Sequence, residues 1–129
     1  MSSKFEKLLQ ESEKLFTQAL IDLDHKVLLS LSHPEAAFTT ESAEIFNGII
    51  DLHLNYTSII KIQSIQLLNR NVQFHGKYAV VSSSECRIGL LNNIDVQSEY
   101  AITRVWKCLS AKCVVISGCI VNKKINSCL

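Results

Sequence analysis

The segment VQSEYAITRVWKC, Val96 to Cys108, alternates strictly between two faces. Tyr100, Ile102, Arg104 and Trp106 fall on one side, and Glu99, Ala101, Thr103, Val105 and Lys107 on the other. That is the pattern of a long strand covered on both sides. One residue is out of place in it. Arg104 shares a face with an indole and an isoleucine, and a guanidinium removed from water without a partner costs several kcal/mol. The pattern therefore predicts that Arg104 points into a pocket roofed by helices, where either a ligand or an acid meets its charge.

The remaining periodicities supply the roof. Over 4–24 the apolar residues Phe5, Leu8, Leu9, Leu15, Phe16, Ala19, Leu20 and Leu23 recur at helical spacing, while Glu6, Glu11, Glu13, Lys14 and Gln18 mostly face elsewhere. A short second helix over 25–31 ends before Pro34. A strand at 36–40, a turn at 40–42 and a return strand at 44–47 lead to Gly48. A third helix over 49–58 then presents Ile49, Leu52, His53 and Tyr56. A continuous helix over 42–58 competes with this reading, at a cost of about 1 kcal/mol for its internal glycine.

From residue 60 the period is two, giving strands at 60–74, 78–90, 94–109 and 113–121. The alternation slips at Leu67 and Leu68, which suggests a bulge. Turns fall at 75–77, at Asn92-Asn93 and at 110–112, and 122–129 carries no period. Three helical segments followed by four antiparallel strands predict an α+β domain spanning 1–129. Its expected form is a strongly curved, mainly antiparallel sheet with the helices on its concave face. The convex face is apolar enough to predict a homodimer through it.

Composition narrows the function classes. In 129 residues, 13 Lys and Arg oppose 12 Asp and Glu, for a net charge of +1. No basic stripe marks a nucleic-acid surface, and no run of about 18 apolar residues predicts a membrane span. The charged start, MSSKFEKLLQESEK, lacks a signal-peptide core, so cytoplasmic residence is expected. The odd count of cysteines (Cys86, Cys108, Cys113, Cys119 and Cys128) then predicts reduced, mostly buried thiols. Their spacing matches no structural zinc site, so no metal and no cofactor are expected.

Four segments together carry a family resemblance: LFTQALIDLD followed by LLSLSHPEAAFT, the glycine before the third helix (Gly48), NVQFHGKYAVV, and YAITRVW. In this order the chain resembles the nuclear transport factor 2-like superfamily of small cone-shaped domains over about 11–120. Members include ketosteroid isomerase, SnoaL-like polyketide cyclases and the association domain of calmodulin-dependent kinase II. The resemblance implies the cone fold and dimerisation through the sheet. It also implies two pocket positions of the kinase domain, falling on His53 and Arg104. A third pocket arginine would fall on Cys86, with Arg87 next to it on the opposite parity. The isomerase's catalytic aspartate would fall near Thr40, which is no base, and the isomerase tyrosine lies near Phe16. The SnoaL-type His and Asp pair finds no match, and the usual G-x-W before the last strand is replaced by Ala111-Lys112-Cys113.

Five residues follow as site candidates. Arg104 can anchor a carboxylate through its planar fork of donors, or fix adjacent strands by pairing with Glu85, Glu99 or another acid. His53 can act as general acid or base, or simply line the pocket. Tyr56, Tyr100 and Trp106 offer aromatic walls with polar tips, and Trp106 can equally be the centre of the core. Three readings stay open. The first is a dimeric domain binding a small organic molecule, one with an anionic group included. The second is a cofactor-free isomerase, dehydratase or cyclase, and the third a structural oligomerisation module.

Overall fold

The structure, a computed structural model, describes residues 3–55 and 60–125. The helical half comprises α1 (Ser3–Asp22), α2 (His25–Ser30) and α3 (Ile49–Asn55), with the short pair β1 (Ser32–Thr40) and β2 (Ile45–Asn47) between α2 and α3. The strand half is β3 (Lys61–His75), β4 (Tyr78–Leu91), β5 (Ile94–Cys108) and β6 (Cys113–Ile125). Asp24 caps α2, its carboxylate accepting from the Val27 N–H at 3.2 Å. Gly48, at φ +92°, makes the break between β2 and α3. A strand and a left-handed glycine thus replace the continuous helix that 42–58 could have formed. The last strand continues to Ile125, through residues where the sequence shows no alternation.

The sheet corrects the expected shape. Its six strands run in the order β2-β1-β6-β5-β4-β3, and β1 pairs with β6 in parallel while the other neighbours are antiparallel. It is a mixed, open sheet with free edges at β2 and β3, neither closed nor strongly curled, so the cone with a deep concave face is not formed. The physical reason lies in the 32–47 segment. Two short strands added beside β6 extend the sheet sideways, where a four-stranded antiparallel sheet was expected to bend around the helices.

Turn chemistry sets the register. Asn92 and Asn93 both take positive φ, 51° and 65°, as a two-residue hairpin turn requires, and so align β4 with β5 over fourteen pairs. The slipped alternation in β3 is a real irregularity, with the register shifting between Leu67 and Asn69. A second shift, between Ile62 and Ser64, lies opposite Gly89, where an added Cβ would overlap the Lys61 carbonyl oxygen.

The helices cover one face, and the core lies beneath them. Leu9, Phe16, Ala19 and Leu20 of α1 meet Leu28, Phe38, Ile49, Leu52 and Trp106 there. Phe16 stands edge-on to Trp106, ring centroids 5.9 Å apart. Two residues assigned to the apolar stripe of α1, Leu15 and Leu23, are instead exposed. No described helix is long and apolar enough to cross a membrane.

Candidate functional site

Arg104 lies where the alternation of β5 puts it, on the helix-covered face and 5% exposed. Its charge is met from α1. The Arg104 Nε donates to Glu13 Oε2 at 3.0 Å and Nη2 donates to Oε1 at 2.8 Å, a two-pronged fork. Trp106 Nε1 donates to Glu13 Oε2 at 2.7 Å, and Arg70 of β3 donates to Oε1 at 3.1 Å. One carboxylate thus receives four hydrogen bonds from two neighbours on β5 and one on β3. The guanidinium of Arg104 also lies over the Phe16 ring, 4.9 Å from its centroid.

Glu13 is 2% exposed, although the sequence placed it among the outward residues of α1. A signal was present: Leu9, Glu13, Phe16 and Leu20 are spaced i, i+4, i+7, i+11, so Glu13 belongs to the buried stripe. Burial pushes its carboxyl pKa up, but Arg104, Arg70 and the Trp106 hydrogen bond outweigh this and hold it below the ordinary value. Conversely, burial alone would make Arg104 easier to deprotonate, and Glu13 reverses that.

A second polar cluster lies farther along the same face. Arg87 Nε donates to Glu85 Oε2 at 2.6 Å, and its guanidinium sits 4.8 Å from the Tyr100 ring centroid. Arg87 shares its orientation with Val81 and Glu85, on the same face as Arg104. His53 of α3 is 2% exposed, with its ring 5.1 Å from that of His25. Burial first, then His25 and Arg87, hold its pKa below the ordinary histidine value. Tyr100 is pushed upward, mainly by burial. Tyr56 lies outside the described residues.

Because the folded His53 resists its proton, an unfolded chain binds that proton first as pH falls. Stability should decline below about pH 6.5, by at most about 1.4 kcal/mol per pH unit for this one proton, until His53 charges within the fold. Glu13 adds a second decline as pH falls below its unfolded value of 4.5, because its folded pKa is lower. Urea titrations from pH 8 to 5 on wild type and His53→Gln test the first window. The variant should flatten the curve there, and identical curves would contradict the assignment.

Two spaces adjoin these residues. The inner one, beside Arg104 and Arg87 among Phe16, Leu20, Phe38 and Ile102, measures about 20 Å³. That is room for about one water molecule. The outer one is an open groove of about 660 Å³ between α1 and β3. Lys7, Lys14 and Glu11 stand on its helix side, Ile65, Leu67 and Arg70 on its strand side, and Glu13 and Glu85 at its base. Neither space is lined by His53, Tyr100 or Trp106. Among the described residues, no three His, Cys, Asp or Glu side chains gather as a metal site. Cys86 is disulfide-bonded, contrary to the expectation of reduced thiols, whereas Cys108, Cys113 and Cys119 are free.

Solved structures share this fold. An NTF2-like protein from Cytophaga hutchinsonii superposes with a TM-score of 0.78 at 20% identity, covering 91% of this chain and 97% of its own. The fold is that of the NTF2-like proteins. The CaMKII hub of S. rosetta shows the NTF2-like fold too, with a TM-score of 0.74 at 16% identity over 90% of this chain and 95% of its own. So does a hexachlorocyclohexane dehydrochlorinase, LinA Type2, with a TM-score of 0.78 at 12% identity over 94% of this chain and 86% of its own. No protein-family model and no curated protein matches the sequence. A hub and an enzyme on one backbone mean that the NTF2-like fold alone decides no function here.

Proposed function

We propose that this chain is a small-molecule-binding domain whose site is the open groove between α1 and β3, with Arg70 as the anchor for an organic anion. The carrying observation is how the charges are used. Glu13 is committed to Arg104 and Glu85 to Arg87. Lys7, Lys14 and Arg70 then remain around the groove against Glu11 alone, an excess of positive charge. Arg70 is 29% exposed at its side chain and uses Nη2 on Glu13, so its guanidinium is both fixed and open to the groove. Ile21, Ile65 and Leu67 supply apolar wall for the body of the guest. The volume is that of ordinary small-ligand pockets, about 300–1,000 Å³.

On this reading Arg104 and Trp106 act on the ligand indirectly, by holding Glu13 where Arg70 needs it. Tyr100 and His53 belong to the neighbouring cluster, and Tyr56 is assigned no part. Catalysis by His53 ranks second, since its ring is buried against His25 and borders neither space. The homodimer stays within the proposal, through the bare face where Val80, Ala101, Val105 and Val121 are only partly covered.

Fluorescence titration with anthranilate and naphthoate carboxylates at low salt tests the groove. Saturable binding is expected, weakened at least about tenfold in Arg70→Ala, the loss of one charge-assisted fork. Circular dichroism should show that variant still folded. Equal affinity in wild type and variant, or no saturation by any carboxylate, would overturn the reading.

A further inference from the structure

The β5–β6 hairpin holds a pair of groups that the groove does not use. Cys108 closes β5 and Cys113 opens β6, and the two are direct cross-strand partners. The Cys113 thiol donates to the Cys108 sulfur, with 3.2 Å between the two Sγ atoms. Cys108 is 2% exposed and Cys113 fully buried, and both are free thiols. The exposed turn Leu109–Lys112 sits directly above them, closed by the Leu109 N–H donating to the Lys112 carbonyl at 2.7 Å. The Cys108 N–H turns the other way and donates to Lys77 O at 2.6 Å. Cys108 and Cys113 therefore form a non-hydrogen-bonded pair, where facing Cα atoms lie about 4.5 Å apart and the side chains are closest. That spacing lies inside the range a disulfide accepts, about 4.4–6.8 Å.

We propose that Cys108 and Cys113 are a reversible dithiol–disulfide site, oxidised by peroxides. One thiolate attacks a peroxide oxygen; the O–O bond breaks, that oxygen stays on sulfur as a sulfenic acid, and the other leaves as hydroxide and is protonated to the first water. The second sulfur attacks the sulfenic sulfur, forming the Sγ–Sγ bond and releasing the second water. Two thiols lose two electrons and two protons, and one hydrogen peroxide becomes two waters. A short movement of either sulfur closes the 3.2 Å gap, and the turn above the pair is exposed. Burial, together with Cys108, pushes the Cys113 thiol up to about 12, so Cys113 stays a protonated thiol and serves as the second sulfur, which resolves the sulfenic acid, rather than the first. The other soft-ligand use, a metal site, lacks further donors: no cluster of three His, Cys, Asp or Glu occurs among the described residues.

The sequence makes the test direct, because trypsin cuts after Lys107, Lys112 and Lys123 and so separates the two cysteines into different peptides. Native protein is treated with hydrogen peroxide, quenched with catalase, alkylated with iodoacetamide under denaturing conditions and digested. Peptides 108–112 and 113–123 should appear joined in most molecules, two mass units below their sum, and separate on treatment with dithiothreitol. The same join must persist in Cys119→Ser, since Cys119 lies on the second peptide. Recovery of Cys108 and Cys113 as separate alkylated peptides, their separate conversion to sulfinic or sulfonic acids, or a join made only through Cys119 would overturn the proposal. Fragmentation of the joined wild-type peptides, which places the bond on Cys113 or on Cys119, decides the matter even if the serine variant fails to fold.

Discussion

Glutamine in place of Glu13 should lower unfolding free energy by about 3–5 kcal/mol in a urea titration, among the largest effects of any single change to this chain. The amide has the shape of the carboxylate and can still accept from Trp106. It removes the carboxylate that forks onto Arg104, a cation 5% exposed beneath α1. An unpaired guanidinium there must be desolvated without compensation or must drag water into an interior with room for about one molecule. Arg70 loses its partner as well, but it is partly in water and adds little. A loss below about 1 kcal/mol would mean that the pair is solvated and that Glu13 is not the keystone of the face.

Trp106→Ala should cost a similar amount, about 3–5 kcal/mol, for a different reason. Trp106 is fully buried, packs edge-on against Phe16 and donates to Glu13. Alanine leaves a cavity and strips one donor from the carboxylate at once. Trp106→Phe separates the two contributions, since it retains most of the packing and removes only the indole N–H. It should cost about 1–3 kcal/mol, the cost of leaving one buried acceptor short of a partner, with some packing loss. If the two substitutions cost the same, the hydrogen bond rather than packing carries the indole's contribution.

Much of this architecture is legible in the residues. The alternation over Val96–Cys108, the Asn92-Asn93 turn and the slip at Leu67 and Leu68 each have their counterpart in the sheet. These signals are local, governed by side-chain period and backbone φ. The sheet's shape was less legible, because the parallel pairing of β1 with β6 joins segments far apart in sequence and leaves no local mark. The same holds for the polar centre. Arg104 declares itself by sitting among apolar neighbours, but its partner is 91 residues away and has the polarity of a solvent-facing acid. Helical spacing puts Glu13 on the buried stripe, against what its polarity alone suggests. Cys86 and Arg87 are neighbours in the sequence, and one position in a strand is the difference between its two faces.

Arg104 is neutralised within the chain by Glu13, and on the proposed function this leaves Arg70 and the outer groove to meet a guest. A double-mutant cycle in unfolding free energy, with Glu13→Gln, Arg104→Met and the two combined, measures that pairing alone. A coupling of about 2–3 kcal/mol is expected, the double variant being less destabilised than the sum of the single ones. A coupling below about 0.5 kcal/mol would show the two side chains to be independent, and would return Arg104 to the role of an open ligand anchor.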